Sequence, residues 1–178
     1  MDRSLSIVSS PTTLHIYISF FQSPSYSSSS QYIADAEEEW NDYKSLRDSV
    51  LHIDLRNWAD ICIVAPLSAH TLGKIANGLC DDLLTCILRA WDFEKVKPIV
   101  LAPAMNTAMW EHPLTNAQLD TVKCFGRGED KGAVVVVQPV AKTLACGDVG
   151  VGAMAELDDI IFTAKQCLTH IDGNVSDI

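Results

Sequence analysis

Three side chains could carry chemistry here: an imidazole at His52, an amide at Asn106 and a thiol at Cys146. Asn106 lies in Pro103-Ala104-Met105-Asn106-Thr107-Ala108-Met109-Trp110, just after a short apolar run at residues 99–102. That layout places the amide at the C-terminal edge of a buried strand, where open parallel sheets bind their ligands. It fits equally a strand end followed by a helix whose Met and Trp fill core. Imidazole titrates near neutral pH, which makes His52 the economical candidate for a base. A histidine alternating with Ile53 in a strand is just as readily a satisfied structural group. Cys146-Gly147-Asp148 sits in a glycine-rich loop, where a thiol acts as proton donor or nucleophile if its surroundings tune it. Otherwise it is one more unreactive cysteine. By spacing, the three residues form no hydrolase triad.

A fourth segment, Ala65-Pro66-Leu67-Ser68-Ala69-His70-Thr71, joins an apolar run to a helix start. Its hydroxyls and backbone N–H groups can hold an anion or the polar edge of a planar cofactor. The competing reading is a helix N-cap by Ser68 or Thr71, with His70 either helping the site or facing solvent.

The elements that must position these residues alternate. Residues 61–65 and 99–102 are apolar throughout, as parallel strands buried on both faces are. Between them Leu72, Ile75, Ala76, Leu79, Leu83, Leu84, Ile87 and Leu88 recur at helical spacing, with Gly78 predicted to break the segment in two. A helix is predicted over 116–124 and a third strand over 133–138. A loop holding Gly147, Gly150 and Gly152 comes next, then a last helix over 156–168. Strand and helix in alternation imply an α/β sandwich with a mainly parallel sheet. In such a sheet the segments 66–74, 103–110 and 139–154 converge on one rim.

Residues 1–31 are rich in Ser, Pro and Thr, include the tract Ser27–Ser30, and are expected to hold at most one short strand near 14–21. Residues 31–47 turn acidic and aromatic and are expected as a surface helix or loop. The domain proper is expected over 32–170, with 171–178 as a tail. A net charge of −10 leaves no excess of Lys and Arg to neutralise phosphates and excludes nucleic acid as partner. No run approaches the roughly 20 apolar residues that cross a membrane. Six cysteines show no metal-ligand spacing, and several sit in apolar periodic runs, as buried free thiols do, so a reducing compartment, the cytoplasm, is expected. No metal is expected.

The motif at 103–110, together with Leu144-Ala145-Cys146-Gly147-Asp148, resembles the flavin-dependent cysteine decarboxylase family, in its plant-type branch of coenzyme A biosynthesis. Leu51-His52-Ile53-Asp54-Leu55-Arg56, Thr71-Leu72-Gly73-Lys74 and Leu84-Thr85-Cys86 strengthen the likeness, which runs from about Tyr32 to Leu168. The resemblance implies a Rossmann-like three-layer sandwich, FMN as cofactor, a homotrimer with the flavin near the subunit interface, and 4′-phosphopantothenoylcysteine as substrate. By it Ser68, Ala69, His70, Thr71 and Ala104 contact FMN, and Asn106 holds the substrate carboxylate. Met109, Thr143, Ala145 and Met154 line the substrate pocket. His52 is the acid–base group of an oxidation of the cysteine moiety to a thioaldehyde, and Cys146 protonates the enethiolate left after CO₂ departs.

Three departures from the family pattern stand out. The family's first strand and its Gly-Ser flavin-phosphate loop have no counterpart in residues 1–31, so an N-terminally divergent or shortened member is expected. His70 stands where Asn is usual. Thr143 replaces a basic residue, and residues 127–132 add a polar insertion. Two other functions remain open by resemblance. One is a non-catalytic subunit, either of the phosphatase-inhibitor type or a partner in a mixed trimer. The other is a peptidyl-cysteine decarboxylase, disfavoured by the match around Cys146.

Overall fold

The computed structural model describes residues 50–95, 97–125, 133–143 and 149–174. The expectations for 1–31 and 31–47, and for the insertion at 127–132, therefore lie outside the described residues. The described chain runs α1 (Leu51–Trp58), β1 (Cys62–Leu67), α2 (Ala69–Asn77), α3 (Leu83–Arg89) and a single 3₁₀ turn (Phe93–Lys95). It continues β2 (Ile99–Pro103), α4 (Thr107–Trp110), α5 (Pro113–Lys123), β3 (Val134–Val136), β4 (Val140–Thr143), β5 (Val149–Ala153) and α6 (Leu157–Asn174).

Strands β1, β2 and β3 form a parallel sheet in that order, with Cys62 opposite Ile99 and Ile99 opposite Val134. Successive strand residues point to opposite faces, and the sheet accordingly feeds two cores. One face sends Cys62, Val64, Ile99 and Leu101 against Leu72, Leu84, Ile87, Leu119 and Val122 of α2, α3 and α5. The other sends Ile61, Ile63, Val100 and Ala102 against Ile160, Ala164 and Leu168 of α6. Helices therefore lie on both sides of the sheet, which makes it the three-layer α/β sandwich expected.

Gly78 ends α2 in the left-handed conformation at φ 71°, which a residue without Cβ adopts at little cost, and the predicted break falls there. Asp82 then starts α3 with a reciprocal capping box: its carboxylate accepts from the Thr85 N–H while the Thr85 hydroxyl accepts from the Asp82 N–H.

Four expectations need correction. His52 lies in the first turn of helix α1, not in a strand: Leu51 and Leu55, one helical turn apart, both pack on the α2/α3/α5 core. The glycine-rich segment is not a plain loop, because β4 and β5 pair antiparallel as a ribbon with Thr143 opposite Val149. The third strand is shorter than predicted and pairs only over Val134–Val136. Among the described thiols only Cys62 is buried: Cys86 and Cys167 are half-buried, and Cys80 and Cys124 are exposed. Burial pushes the Cys62 thiol up to about 12, which keeps it an inert thiol.

Candidate functional site

Both buried strands end at the same rim, and hydrogen bonds tie together the segments that follow them. The Ala104 N–H donates to the Leu67 carbonyl at 2.9 Å, joining the ends of β1 and β2. The Met105 N–H donates to the Gly152 carbonyl at 2.9 Å, joining the Asn106 segment to strand β5. The three strand-end segments predicted to converge do so.

Ser68 is the N-cap of α2. Its hydroxyl oxygen accepts from the Thr71 N–H at 3.1 Å and its O–H donates to Thr71 Oγ1 at 3.1 Å, while the Ser68 carbonyl accepts from the Leu72 N–H. The capping reading of this segment is thus realised. The first-turn N–H groups of Ala69 and His70 head the same helix at the rim. Thr71 is buried, Ser68 and Ala69 are half-buried, and the His70 side chain is exposed.

Asn106 caps the four-residue helix α4. Its side-chain oxygen accepts from the Ala108 N–H at 2.9 Å, and the residue is exposed. Ala104 is half-buried beside it, and Met109 faces outward with 55% of its surface exposed. Trp110 is the part of the motif that fills core, packing on the α2/α3/α5 side. Met154, just past β5, packs partly buried against the α6 core.

His52 lies on helix α1, which precedes β1. Helix α1 packs chiefly on α3, and its last turn is held where Lys97 Nζ donates to the carbonyls of Arg56 and Asn57, each at 3.1 Å. Lys97 precedes β2, so that anchor lies at the N-terminal edge of the sheet, and His52 is at the other end of α1. Strand β4 ends at Thr143, whose side chain, like Ala145 and Cys146, lies outside the described residues.

The sequence reading missed Thr107, Gly150 and Gly152. Thr107 Oγ1 is buried without a hydrogen-bond partner, and a methyl built on Gly150 would collide with it. One at Gly152 would collide with the Met105 carbonyl. The signal was present: two glycines two residues apart in a strand share a face, and so mark a close approach. An apolar pocket lined by Ile75, Leu88, Phe93, Leu101, Val122 and Phe125 lies inside the α2/α3/α5 core and not at this rim.

Among the described residues the rim offers backbone N–H groups, two hydroxyls, an amide and small alanines. Such donors fit the uncharged, hydrogen-bonding edge of a flavin ring, and Ala69 and Ala104 leave a flat group room to approach. They do not fit a phosphate equally well. Lys74, the nearest cation in α2, is held by Asp81 at 2.7 Å and Asp82 at 2.9 Å.

A family profile described as Flavoprotein matches residues 3–169. The chain is 52% identical over 133 residues to a phosphopantothenoylcysteine decarboxylase of Mus musculus, covering 75% of this chain and 61% of that protein. It is 54% identical over 129 residues to the phosphopantothenoylcysteine decarboxylase HAL3b of Glycine max, covering 72% and 56%. The chain thus spans about three-fifths of the length of these relatives. Among solved structures, one neighbour is a cysteine-to-serine mutant of PPC decarboxylase complexed with pantothenoylaminoethenethiol. It has a TM-score of 0.66 and 49% identity, with 75% of this chain and 68% of that one covered. The FMN binding protein AtHal3 follows at TM-score 0.62 and 50% identity, covering 75% and 67%.

Proposed function

The chain belongs to the flavoprotein family, and on that premise we propose that it is an FMN-dependent decarboxylase of 4′-phosphopantothenoylcysteine, yielding 4′-phosphopantetheine for coenzyme A synthesis. The observation that carries the reading is the hydrogen-bonded rim. It joins the Ser68-capped helix start, the Asn106 segment and the β5 stem at the C-terminal edge of a parallel sheet.

Ser68, Ala69, His70, Thr71 and Ala104 would hold the ring of FMN, whose chemistry is to take up two electrons and return them. That capacity matters because a carboxylate leaves as CO₂ only when the adjacent carbon can accept its electron pair. Asn106 commits its amide oxygen to the α4 cap, so the substrate carboxylate would meet its NH₂ group. Met109, Thr143, Ala145 and Met154 would flank the pantothenoyl arm. His52 would accept a proton at an imidazole nitrogen as the cysteine moiety becomes a thioaldehyde. Cys146 would give its Sγ proton to the carbon of the enethiolate after CO₂ has left. The aminoethenethiol bound to a cysteine-to-serine mutant of a relative supports a cysteine acting at that late step.

By likeness to the family, we include a homotrimer in the proposal. Outward-facing Met109 and Phe162, the latter 62% exposed, supply apolar surface for such contacts. The proposed flavoprotein domain is 32–170, with 1–31 and 171–178 outside it, and the proposed location is the cytoplasm. Among the described residues no helix is long and apolar enough to cross a membrane.

Purified chain mixed with FMN and 4′-phosphopantothenoylcysteine should turn yellow after gel filtration and release CO₂ with phosphopantetheine. Flavin retained without turnover would reject catalysis and favour a non-catalytic subunit, to be checked by co-expression with a full-length relative and a search for mixed oligomers.

A further inference from the structure

Asn106 is bracketed. The residue before it, Met105, donates its N–H to the Gly152 carbonyl at 2.9 Å. The residue after it, Thr107, lies against Gly150 so closely that an added methyl would come within 2.9 Å of Thr107 Cγ2 and 3.1 Å of its Cβ, with Oγ1 nearer still. Gly150 and Gly152 are two apart in β5 and so present one face of the strand to the loop. Gly152 has φ +148°, a conformation that residues with a side chain rarely adopt, and a methyl there would run into the Met105 carbonyl.

Helix α4 is only four residues long and fully buries none of them; Trp110 packs half-buried on the α2/α3/α5 core and the Thr115 hydroxyl donates to the Met109 carbonyl, so its C-terminal end is anchored from the helix side. The Thr107 hydroxyl, buried without a partner, adds no hydrogen bond. At the N-terminal end of α4, where the amide-bearing turn lies, the β5 backbone meets both neighbours of Asn106.

We propose that Gly150 and Gly152 are positioning residues that grip the two neighbours of Asn106 and so set the direction of its amide toward the substrate carboxylate. The proposal rests on the decarboxylase reading for its substrate, but the grip itself is a property of the fold. A side chain at either glycine lifts the turn from the strand. It then tilts the amide, and it should weaken substrate capture more than the chemical steps.

The test is a cycle of Gly150→Ala, Thr107→Ala, the double variant and Gly152→Ala, each read by steady-state kinetics and by hydrogen exchange at the Met105 amide. Gly150→Ala should raise KM about tenfold with kcat changed less than about threefold, the pattern of lost substrate binding. It should also speed Met105 exchange at least tenfold. Thr107→Ala removes the hydroxyl and methyl that the new side chain meets, so the double variant should recover both readouts to within about threefold of the parent. Gly152→Ala should not be recovered by Thr107→Ala, because its obstacle is backbone. Wild-type KM and exchange in Gly150→Ala overturns the proposal, as does failure of Thr107→Ala to rescue a folded Gly150→Ala protein. If the parent shows no turnover, the decarboxylase reading falls while exchange in the same cycle still decides the grip.

Discussion

Two junctions in this molecule share one plan and serve it differently. At the end of β1, Ala65-Pro66-Leu67 leads to the cap Ser68 and helix α2; at the end of β2, Ala102-Pro103-Ala104-Met105 leads to the cap Asn106 and helix α4. In both, a side-chain oxygen takes a first-turn N–H group that the helix cannot satisfy itself. The helices then diverge. Nine-residue α2 buries Thr71 and Leu72 and drives its apolar side into the core, whereas four-residue α4 fully buries no residue and reaches the core only through half-buried Trp110. The half-buried serine belongs to an element that would stay put without it. The exposed asparagine starts a short element held at its far end by Trp110 and beside the asparagine by β5. Capping alone does not separate structure from recognition; the anchorage of the capped helix does.

The sharpest way to break this contrast is to remove the anchor of α2. Leu72 is fully buried against the sheet, and Leu72→Ala deletes packing atoms that the surroundings replace only in part, costing about 3 kcal/mol. Urea unfolding followed by circular dichroism should show the unfolding free energy fall by that amount. A loss below about 1 kcal/mol would mean α2 is no better anchored than α4. Next in size is Asn106→Asp, which keeps a cap oxygen for the Ala108 N–H but turns a donor amide into an anion. Aspartate caps as well as asparagine, so stability should change by less than about 0.5 kcal/mol. Repulsion of the substrate carboxylate should lower kcat/KM by about 100-fold, or about 2.7 kcal/mol. A variant that keeps its turnover would remove Asn106 from substrate recognition.

The two junctions also mark how far residue patterns reveal this molecule. Strands β1 and β2 were legible because both of their faces are buried, and the run of Ile, Val and Ala has no polar interruption. The break at Gly78 was legible because only a left-handed residue ends a helix that way. Helix α1 was misread from His52 and Ile53 alone, although Leu51, Leu55 and Trp58 keep helical spacing. The β4–β5 ribbon escaped because Lys142, Thr143, Gly150 and Gly152 lack the alternation of a half-buried strand. Its glycines are chosen for what they allow the Asn106 turn to do, which is a property of two segments and invisible in either. The rim was legible as a convergence of strand ends, but the roles of His52 and Cys146 rest on likeness to relatives. One stands on α1, which packs chiefly on α3, and the other lies outside the described residues.

A smaller effect tests the other side of the comparison. Ser68→Ala removes the oxygen that takes the Thr71 N–H, and loss of such a cap costs about 1 kcal/mol. Because α2 keeps Leu72, the helix should remain formed, with amide exchange raised only in its first turn. Exchange raised along all of α2 would show that the cap, and not the core, holds it.

The smallest expected effect lies at the opposite end of α2, where Lys74 meets the cap of α3. Burial alone would raise the Asp82 carboxyl. Its bonds to Lys74 Nζ at 2.9 Å and to the N–H and hydroxyl of Thr85, both at 2.8 Å, outweigh that and hold it below its ordinary 3.8. Hydrogen bonds from Lys74 to Asp81 and then to Asp82 raise the ammonium above its ordinary 10.5. The signs follow from linkage. Asp82 binds its proton less readily folded than unfolded, so its contribution is complete above the unfolded value and disappears as pH falls through the lowered one. The Lys74 contribution is complete below 10.5 and disappears as pH rises through the raised value. Asp82→Asn keeps a capping oxygen and discards only the charge, so at neutral pH its Tm should lie about 1–2 °C below the parent. That gap should close as acid protonates the parent carboxylate, and 1 M salt at neutral pH should narrow it. A gap that persists unchanged below the lowered carboxyl value would assign the loss to capping geometry instead, and would make α3 a third junction of the Ser68 kind.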